Sequence, residues 1–189
     1  VTKKKYAKKN KKRKTFLENL HIYITRVFVI FNMRNSLALD LGTRTGFCVF
    51  RLEGDNIEFL KSGTKNFSQP SKTHLGRRFV CFRDWLIRIT KEYNIEKVFY
   101  EQVYGHTGIQ ASHVYGGFLY HMAAVCDDFK IPMYGICVGT IKKSVTGNGH
   151  ASKDEVIQSV MKLNINPIDD NEADAVAIAL TAKQMGEKE

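Results

Sequence analysis

The sequence predicts an α/β fold: a mixed five-stranded sheet, built from an antiparallel three-strand meander plus parallel strands and flanked by helices. Three observations predict it. Short apolar runs separated by turn residues follow one another from Leu37 to Lys61. The stretch from Leu75 to Tyr93 then switches to helical periodicity, and from there apolar strands alternate with helical segments. The 189 residues are enough for one domain with a substantial core.

The elements follow in order. Leu37, Leu39 and Leu41 flank Asp40 in a short first strand, GTRTG turns the chain, and Phe47 to Leu52 reads as the second strand. Glu53-Gly54-Asp55-Asn56 supplies a turn, and Ile57 to Lys61 completes the meander. Leu75, Phe79, Phe82, Leu86, Ile89 and Tyr93 recur at alternating spacings of four and three, one face of an amphipathic helix. Val98 to Tyr100 form a fourth strand that ends at Glu101. A second helix has Val114, Leu119, Met122, Cys126 and Phe129 as core candidates, and Pro132 leads into a fifth strand, Met133 to Val138. The Gly147-Asn148-Gly149 loop breaks the chain. Ser152 and Glu155 have capping-box spacing at the start of a helix to about Leu163, and a last helix runs from about Asn171 to Met185. No internal repeat is visible.

The net charge of +10 suggests a nucleic-acid partner, but its distribution is uneven. Residues 1–32 hold ten Lys/Arg and one acid, which leaves nineteen basic residues against eighteen acidic ones in the rest. The division expected is therefore a basic N-terminal extension, residues 1–32, and a nearly neutral folded domain, residues 33–189. KKKYAKKNKKRK is a single-sign run of the kind that stays solvated. Met33 is the expected natural start, with the preceding stretch read as upstream sequence or as a basic arm for phosphate contacts. The apolar run from Val27 to Phe31 is too short to span a bilayer. Cys48, Cys81, Cys126 and Cys137 show no CxxC or His-Cys ligand spacing, which favours a reducing cytosol over disulfides or zinc.

Three acids on apolar scaffolding carry the chemistry: Asp40 in LALDLGTRTG, Glu101 in KVFYEQVYG and Asp174 in DDNEADAVAIA. Burying an isolated carboxylate costs several kcal/mol unless a cation compensates it. If the first and fourth strands are parallel neighbours, Asp40 and Glu101 lie side by side, and a helix crossing that edge adds Asp174. Hard oxygen ligands at one point suit Mg²⁺, with Mn²⁺ as a substitute. Two such ions about 3.5 to 4 Å apart serve phosphodiester hydrolysis. Each acid also has a plainer role: Asp40 as a turn cap, Glu101 as a strand-end acid facing water, Asp174 as a partner of the helix dipole. All three in this order and setting favour the metal reading.

Residues from Met33 to about Ala182 resemble the RuvC family of Holliday-junction resolvases. The resemblance is carried by LALDLGTRTG, EQVYG, IKKSVTGNGHASKDEV and NPIDDNEADAVAIA, in the family's order. It implies a ribonuclease-H-like fold, a homodimer, four-way junction DNA as substrate and Mg²⁺-dependent strand cutting; the compact length and lack of a targeting signal suit a bacterial or phage-infected cytoplasm. It also implies roles for individual residues. Asp40, Glu101 and Asp174 fall on metal-binding carboxylates, Lys142 and Lys153 on basic residues at the scissile region, and Tyr104 on an aromatic that stacks at the crossover. Arg44 and Lys143, together with Arg77 and Arg78, are further candidates for the DNA-facing surface. A buried core tyrosine is the plainer reading of Tyr104.

The sequence departs from that pattern at the fourth metal ligand. The family places Asp or His three residues before its last aspartate, where this chain has Asn171. Asp170 lies four residues before Asp174, nearly as well aligned on a helix, and is the expected substitute. Asp169 with Glu172 has capping-box spacing, and Asp170 is itself a candidate N-cap. The other functions considered are an RNA-processing nuclease of the YqgF-like group and a junction-binding protein with weak or no cleavage. The DLGTxxG loop of actin-like ATPases is set aside because those proteins need two such domains. A dimer interface is expected on the helix that carries Tyr115, Gly116, Gly117 and Tyr120, unless those glycines pack helix against sheet.

Overall fold

A computed structural model of the chain describes residues 34–68, 74–105 and 108–186. The expected N-terminal extension lies outside the described residues. The strands are β1 (Asn35–Asp40), β2 (Arg44–Glu53), β3 (Asn56–Asn66), β4 (Ile95–Gln102) and β5 (Met133–Cys137). They form one sheet in the order β3-β2-β1-β4-β5. β1 pairs antiparallel with β2 and β2 antiparallel with β3, whereas β1 with β4 and β4 with β5 are parallel. This is the predicted meander with two added parallel strands. Gly54 at φ +56° accommodates the tight turn between Glu53 and Asn56.

The helices described are α1 (Arg77–Tyr93), α2 (Ile109–Phe129), α3 (Val138–Thr146), α4 (Lys153–Met161) and α5 (Asp170–Gly186). Because the sheet is covered on both faces, its central strand reads as nearly continuous apolar sequence. Leu37, Leu39, Phe47 and Val49 face the α1/α2 layer, where Phe82, Trp85, Phe118 and Met122 are buried with them. Phe82 and Phe118 meet edge to face at 5.0 Å, and Phe67 packs similarly on Phe82 at 5.4 Å. Ala38, Cys48, Phe50 and Phe99 face the other layer, formed by Ile141 of α3, Val156 and Val160 of α4, and Val176 and Ile178 of α5. Each fully buried Leu, Val or Phe contributes about 1.5–3 kcal/mol, so these two clusters dominate the stability of the domain.

The predicted helix Leu75 to Tyr93 forms as α1, with Phe82, Leu86 and Ile89 buried as expected. Phe79 and Tyr93 are partly buried, and Leu75 is exposed two residues before the helix begins. In α2, Met122 and Cys126 are core residues, and Phe118 and Val125 join them. The sequence reading missed α3. VGTIKKSVT begins directly at the end of β5 with no side-chain cap, and its β-branched residues favour a strand. The capping box at Ser152 forms as predicted: Glu155 N donates to Ser152 Oγ at 3.3 Å, and Ser152 N to Glu155 Oε2 at 2.7 Å. All four cysteines are free thiols. No described helix is long and apolar enough to cross a membrane.

Candidate active site

Sheet register sets the site. Leu39 pairs with Tyr100 across β1 and β4, so Asp40 and Glu101 occupy the next positions at the carboxyl ends of two parallel neighbours. On the other side, Asp40 pairs with Gly46 of β2, and Gly46 with Thr64 of β3. The first turn of α5 crosses this row. Gly46 permits the crossing, because a Cβ there would overlap the backbone carbonyl of Asn171. Close approach at Gly46 therefore brings Asp170 and Asp174, one helical turn apart, over the end of β1.

The electrostatics agree with this placement. Asp40 is partly exposed at the strand end, yet its surroundings desolvate it strongly. Burial, then the charges of Glu101 and Asp174, push its carboxyl up to about 8; Lys153 opposes this and Asp170 adds to it. Burial and Asp174 raise Glu101, while Lys142 and Lys153 act in the opposite direction. Asp174 is raised chiefly by burial, against Lys153 and Lys142 and with Asp170. Asp40, Glu101, Asp170 and Asp174 thus share one neighbourhood with Lys142 and Lys153.

Shared neighbourhood is not contact. Among the described residues, no three Asp, Glu, His or Cys side chains stand close enough together to hold an ion. The backbone positions converge and the donor set is all hard oxygen, which fits Mg²⁺ or Mn²⁺. The carboxylates themselves would have to draw in around a cation, as expected for like charges that repel without one. Asp170 points to Lys153, whose Nζ donates to Oδ2 at 2.6 Å, and Oδ1 accepts from Asn171 Nδ2 at 3.1 Å. The bond from Lys153, with its charge, holds Asp170 below the usual carboxylate range, and the same bond raises Lys153.

Asp169 is engaged elsewhere. Its Oδ2 accepts from Arg44 Nη2 at 2.5 Å, and its Oδ1 accepts from Thr64 Oγ1 at 2.5 Å and from Glu172 N at 3.0 Å. Burial alone would raise Asp169, but these bonds outweigh it and its carboxyl lies low. The expected cap at Asp169 therefore forms. The return bond differs from a capping box, since buried Glu172 accepts from Ile168 N at 2.7 Å and from Ser62 Oγ at 2.5 Å.

Of the remaining predicted residues, Tyr104 is 79% exposed, so it is not the buried core tyrosine of the plainer reading. It stands beyond Glu101 with its hydroxyl 3.9 Å from Cys137 Sγ. Lys142 neighbours the carboxylates, but Lys143 lies on the exposed side of α3 and lines an open groove with Thr140, Ser144 and Thr181. Arg78 donates to Thr43 Oγ1 at 3.3 Å, and Arg77 is exposed. Gly117 packs against the Phe79 ring, where a Cβ would collide, so this glycine serves contact between α1 and α2. Gly116 and Tyr120 remain on the open face. Tyr115, also on the helix expected at a dimer interface, holds the segment after Glu101. Its hydroxyl donates to Glu101 O at 3.0 Å and accepts from Val103 N at 3.2 Å. Sequence reasoning also missed Gly46, Ser62 and Thr64, and the bond of Glu172 to Ser62, all of which depend on contacts more than 100 residues apart in the chain.

The sheet order, the acids at the ends of β1 and β4, and the helix crossing with two more together define the ribonuclease-H-like class of fold. The family profile of crossover junction endodeoxyribonuclease RuvC matches residues 37–182. A RuvC of Wolbachia sp. subsp. Brugia malayi is 31% identical over 152 residues, covering 78% of this chain and 93% of that protein. A RuvC of Protochlamydia amoebophila is 29% identical over 153 residues, covering 79% and 90%. The chain belongs to the RuvC family. Among solved structures, T. thermophilus RuvC in complex with a Holliday junction superposes with a TM-score of 0.71 at 22% identity, covering 81% of this chain and 96% of that one. The yeast mitochondrial Holliday junction resolvase Ydc2 superposes with a TM-score of 0.63 at 12% identity, covering 82% and 80%.

Proposed function

We propose that the protein is a homodimeric, Mg²⁺-dependent endodeoxyribonuclease that resolves four-way DNA junctions by hydrolysing a phosphodiester in each of two symmetry-related strands. The observation that carries this reading is the common electrostatic neighbourhood of Asp40, Glu101 and Asp174 at one end of the sheet, in a chain of the RuvC family. Residues 33–189 constitute the nuclease domain in this reading, with residues 1–32 as a basic extension. Its place of work is the cytoplasm of a bacterial or phage-infected cell.

Asp40, Glu101, Asp174 and Asp170 would hold the metal. Mg²⁺ or Mn²⁺ held by them would supply activation of the attacking water and charge stabilisation for the leaving oxygen. The chain's own cations complete the site. Lys142, beside Glu101 and Asp174, neutralises charge that develops on the phosphate in the transition state. Lys153 does the same from the other side of the glycine loop, and the Asp170 carboxylate that it now bonds would be shared with the metal. Gly147, at φ +82°, lets the chain turn tightly out of α3 into the loop that leads to Lys153. Tyr104, with its ring in solvent, stacks on an unpaired base at the crossover. Arg44, Lys143, Arg77 and Arg78 are the candidates for backbone contacts, with Arg44 already paired to Asp169.

A second reading rests on the fourth ligand, where Asn171 stands in the family's position and Asp170 is bonded to Lys153: a junction-binding protein with little cleavage. Incubating the protein with a synthetic four-way junction, single-stranded RNA or ATP, with and without Mg²⁺, separates the possibilities. Metal-dependent paired nicks in the junction alone support resolution. Binding without nicks supports the second reading, and RNA cutting the YqgF-like alternative.

A further inference from the structure

We infer that Arg44, Thr64 and Asp169 form a positioning clamp, which sets the first turn of α5 over the end of β1 and so places Asp170 and Asp174 beside Asp40. The inference rests on the proposed metal site. Its starting point is how the acids of DDNEAD divide. Asp170 and Asp174 are four residues apart and lie on the side of α5 that neighbours Asp40 and Lys153. Asp169 and Glu172 are three apart, and both are bonded to the meander strands. One helix end therefore presents two acidic faces, one committed to the sheet and one to the site.

The committed face is tied at defined register positions. Thr64, which bonds Asp169, is the β3 partner of Gly46, and Gly46 is the β2 partner of Asp40. Asn171 packs on Gly46 in the same row. Ser62, two residues from Thr64 and so on the same face of β3, holds Glu172. Arg44, the first residue of β2, reaches Asp169 from the side. A row across three strands thus fixes the helix start by two carboxylates that are not themselves beside Asp40. Asp169 uses both of its oxygens in these bonds, so it acts on the site through the helix and not as a ligand. Arg44 belongs to the same device, which gives it a role distinct from the DNA contact expected of it.

Mn²⁺ titration calorimetry on the full chain tests this, alongside thermal unfolding, junction binding and the Mg²⁺ concentration that gives half-maximal cutting. Arg44→Ala and Thr64→Val should each weaken Mn²⁺ binding about tenfold, the usual size of an outer-shell effect, and raise the half-maximal Mg²⁺ concentration by a similar factor. Junction affinity should stay unchanged in Thr64→Val, and Arg44→Lys should restore most of the loss of Mn²⁺ binding seen in Arg44→Ala. Asp169→Asn keeps an N-cap acceptor and a partner for Thr64 while removing the charge, and should fall between wild type and Arg44→Ala. Lower melting temperatures with wild-type Mn²⁺ affinity would overturn the clamp and leave a purely structural contact. Weaker junction binding with unchanged metal affinity would overturn it in favour of a DNA contact at Arg44. A wild-type chain that takes up no Mn²⁺ would overturn the metal reading itself and the clamp with it, an outcome visible before any variant is compared.

Discussion

Replacing Asp40 with asparagine should stabilise the metal-free protein at alkaline pH while abolishing junction cutting. The carboxyl of Asp40 is raised from 3.8 to about 8, so between those values the folded state holds a proton that the unfolded chain has released. For an acid shifted upward, stability is therefore highest at low pH and declines as pH rises through that window. At about 1.4 kcal/mol per pH unit, the ionised Asp40 costs the metal-free fold roughly 5 kcal/mol by pH 8. Asparagine keeps the shape and removes that cost. Since 1 kcal/mol corresponds to about 2–4 °C for a domain of this size, the variant should melt about 10 °C or more above wild type at pH 8.5 in EDTA. The gap should close toward pH 4 to 5. Mg²⁺ should stabilise the wild type at pH 8 and leave the variant nearly unmoved, with junction binding intact. The assay is thermal unfolding across pH 4 to 9, with chelator or metal, paired with a cutting assay. A variant that is less stable at every pH, with no difference in metal response, would show Asp40 to be a structural cap of the GTRTG turn and refute the reasoning.

Four further outcomes follow from the same geometry. Mn²⁺ affinity should weaken as pH falls below 8, by up to about tenfold per unit, because the metal must displace the Asp40 proton; a pH-independent calorimetric affinity would contradict this. Gly46→Ala should cost about 1–3 kcal/mol or more and impair metal binding, since the new methyl strikes the Asn171 carbonyl, and denaturant unfolding with Mn²⁺ titration measures both. Tyr104→Ala should leave stability within about 0.5 kcal/mol, because the ring is exposed, while weakening junction binding by about 1–3 kcal/mol in a gel-shift titration. Lys142→Ala should lower the single-turnover cutting rate about 10²-fold or more with little loss of junction affinity, and equal effects on both would make Lys142 only a phosphate contact.

Much of the fold was legible because the determinants are local. Alternating leucines around Asp40, the four-three spacing of α1 and the Ser152 capping box each specify an element through nearest neighbours. The order of Asp40, Glu101 and Asp174 along the chain was equally readable, since acids are conspicuous in apolar runs. What sequence could not supply was long-range register. Nothing local distinguishes Asp169 from Asp170; their roles separate only because Thr64 and Arg44 lie under one and Lys153 under the other. Gly46 read as one more turn glycine until the helix crossing it was in place. Gly117 suggested a subunit contact and serves an internal one, because Phe79 comes from a helix whose docking no periodicity reveals. α3 was missed because its β-branched sequence gives no cap, and packing of Ile141 into the α5 layer outweighs local preference.

A crystal structure of the protein grown with Mn²⁺, with the ions located by anomalous scattering, tests the central claim most directly. The account predicts Mn²⁺ at the carboxyl ends of β1 and β4, held jointly by Asp40, Glu101 and Asp174, with Asp170 released from Lys153 to join them and Asp169 still bonded to Arg44 and Thr64. Manganese bound elsewhere, or none at saturating concentration with the carboxylates still apart, would contradict it.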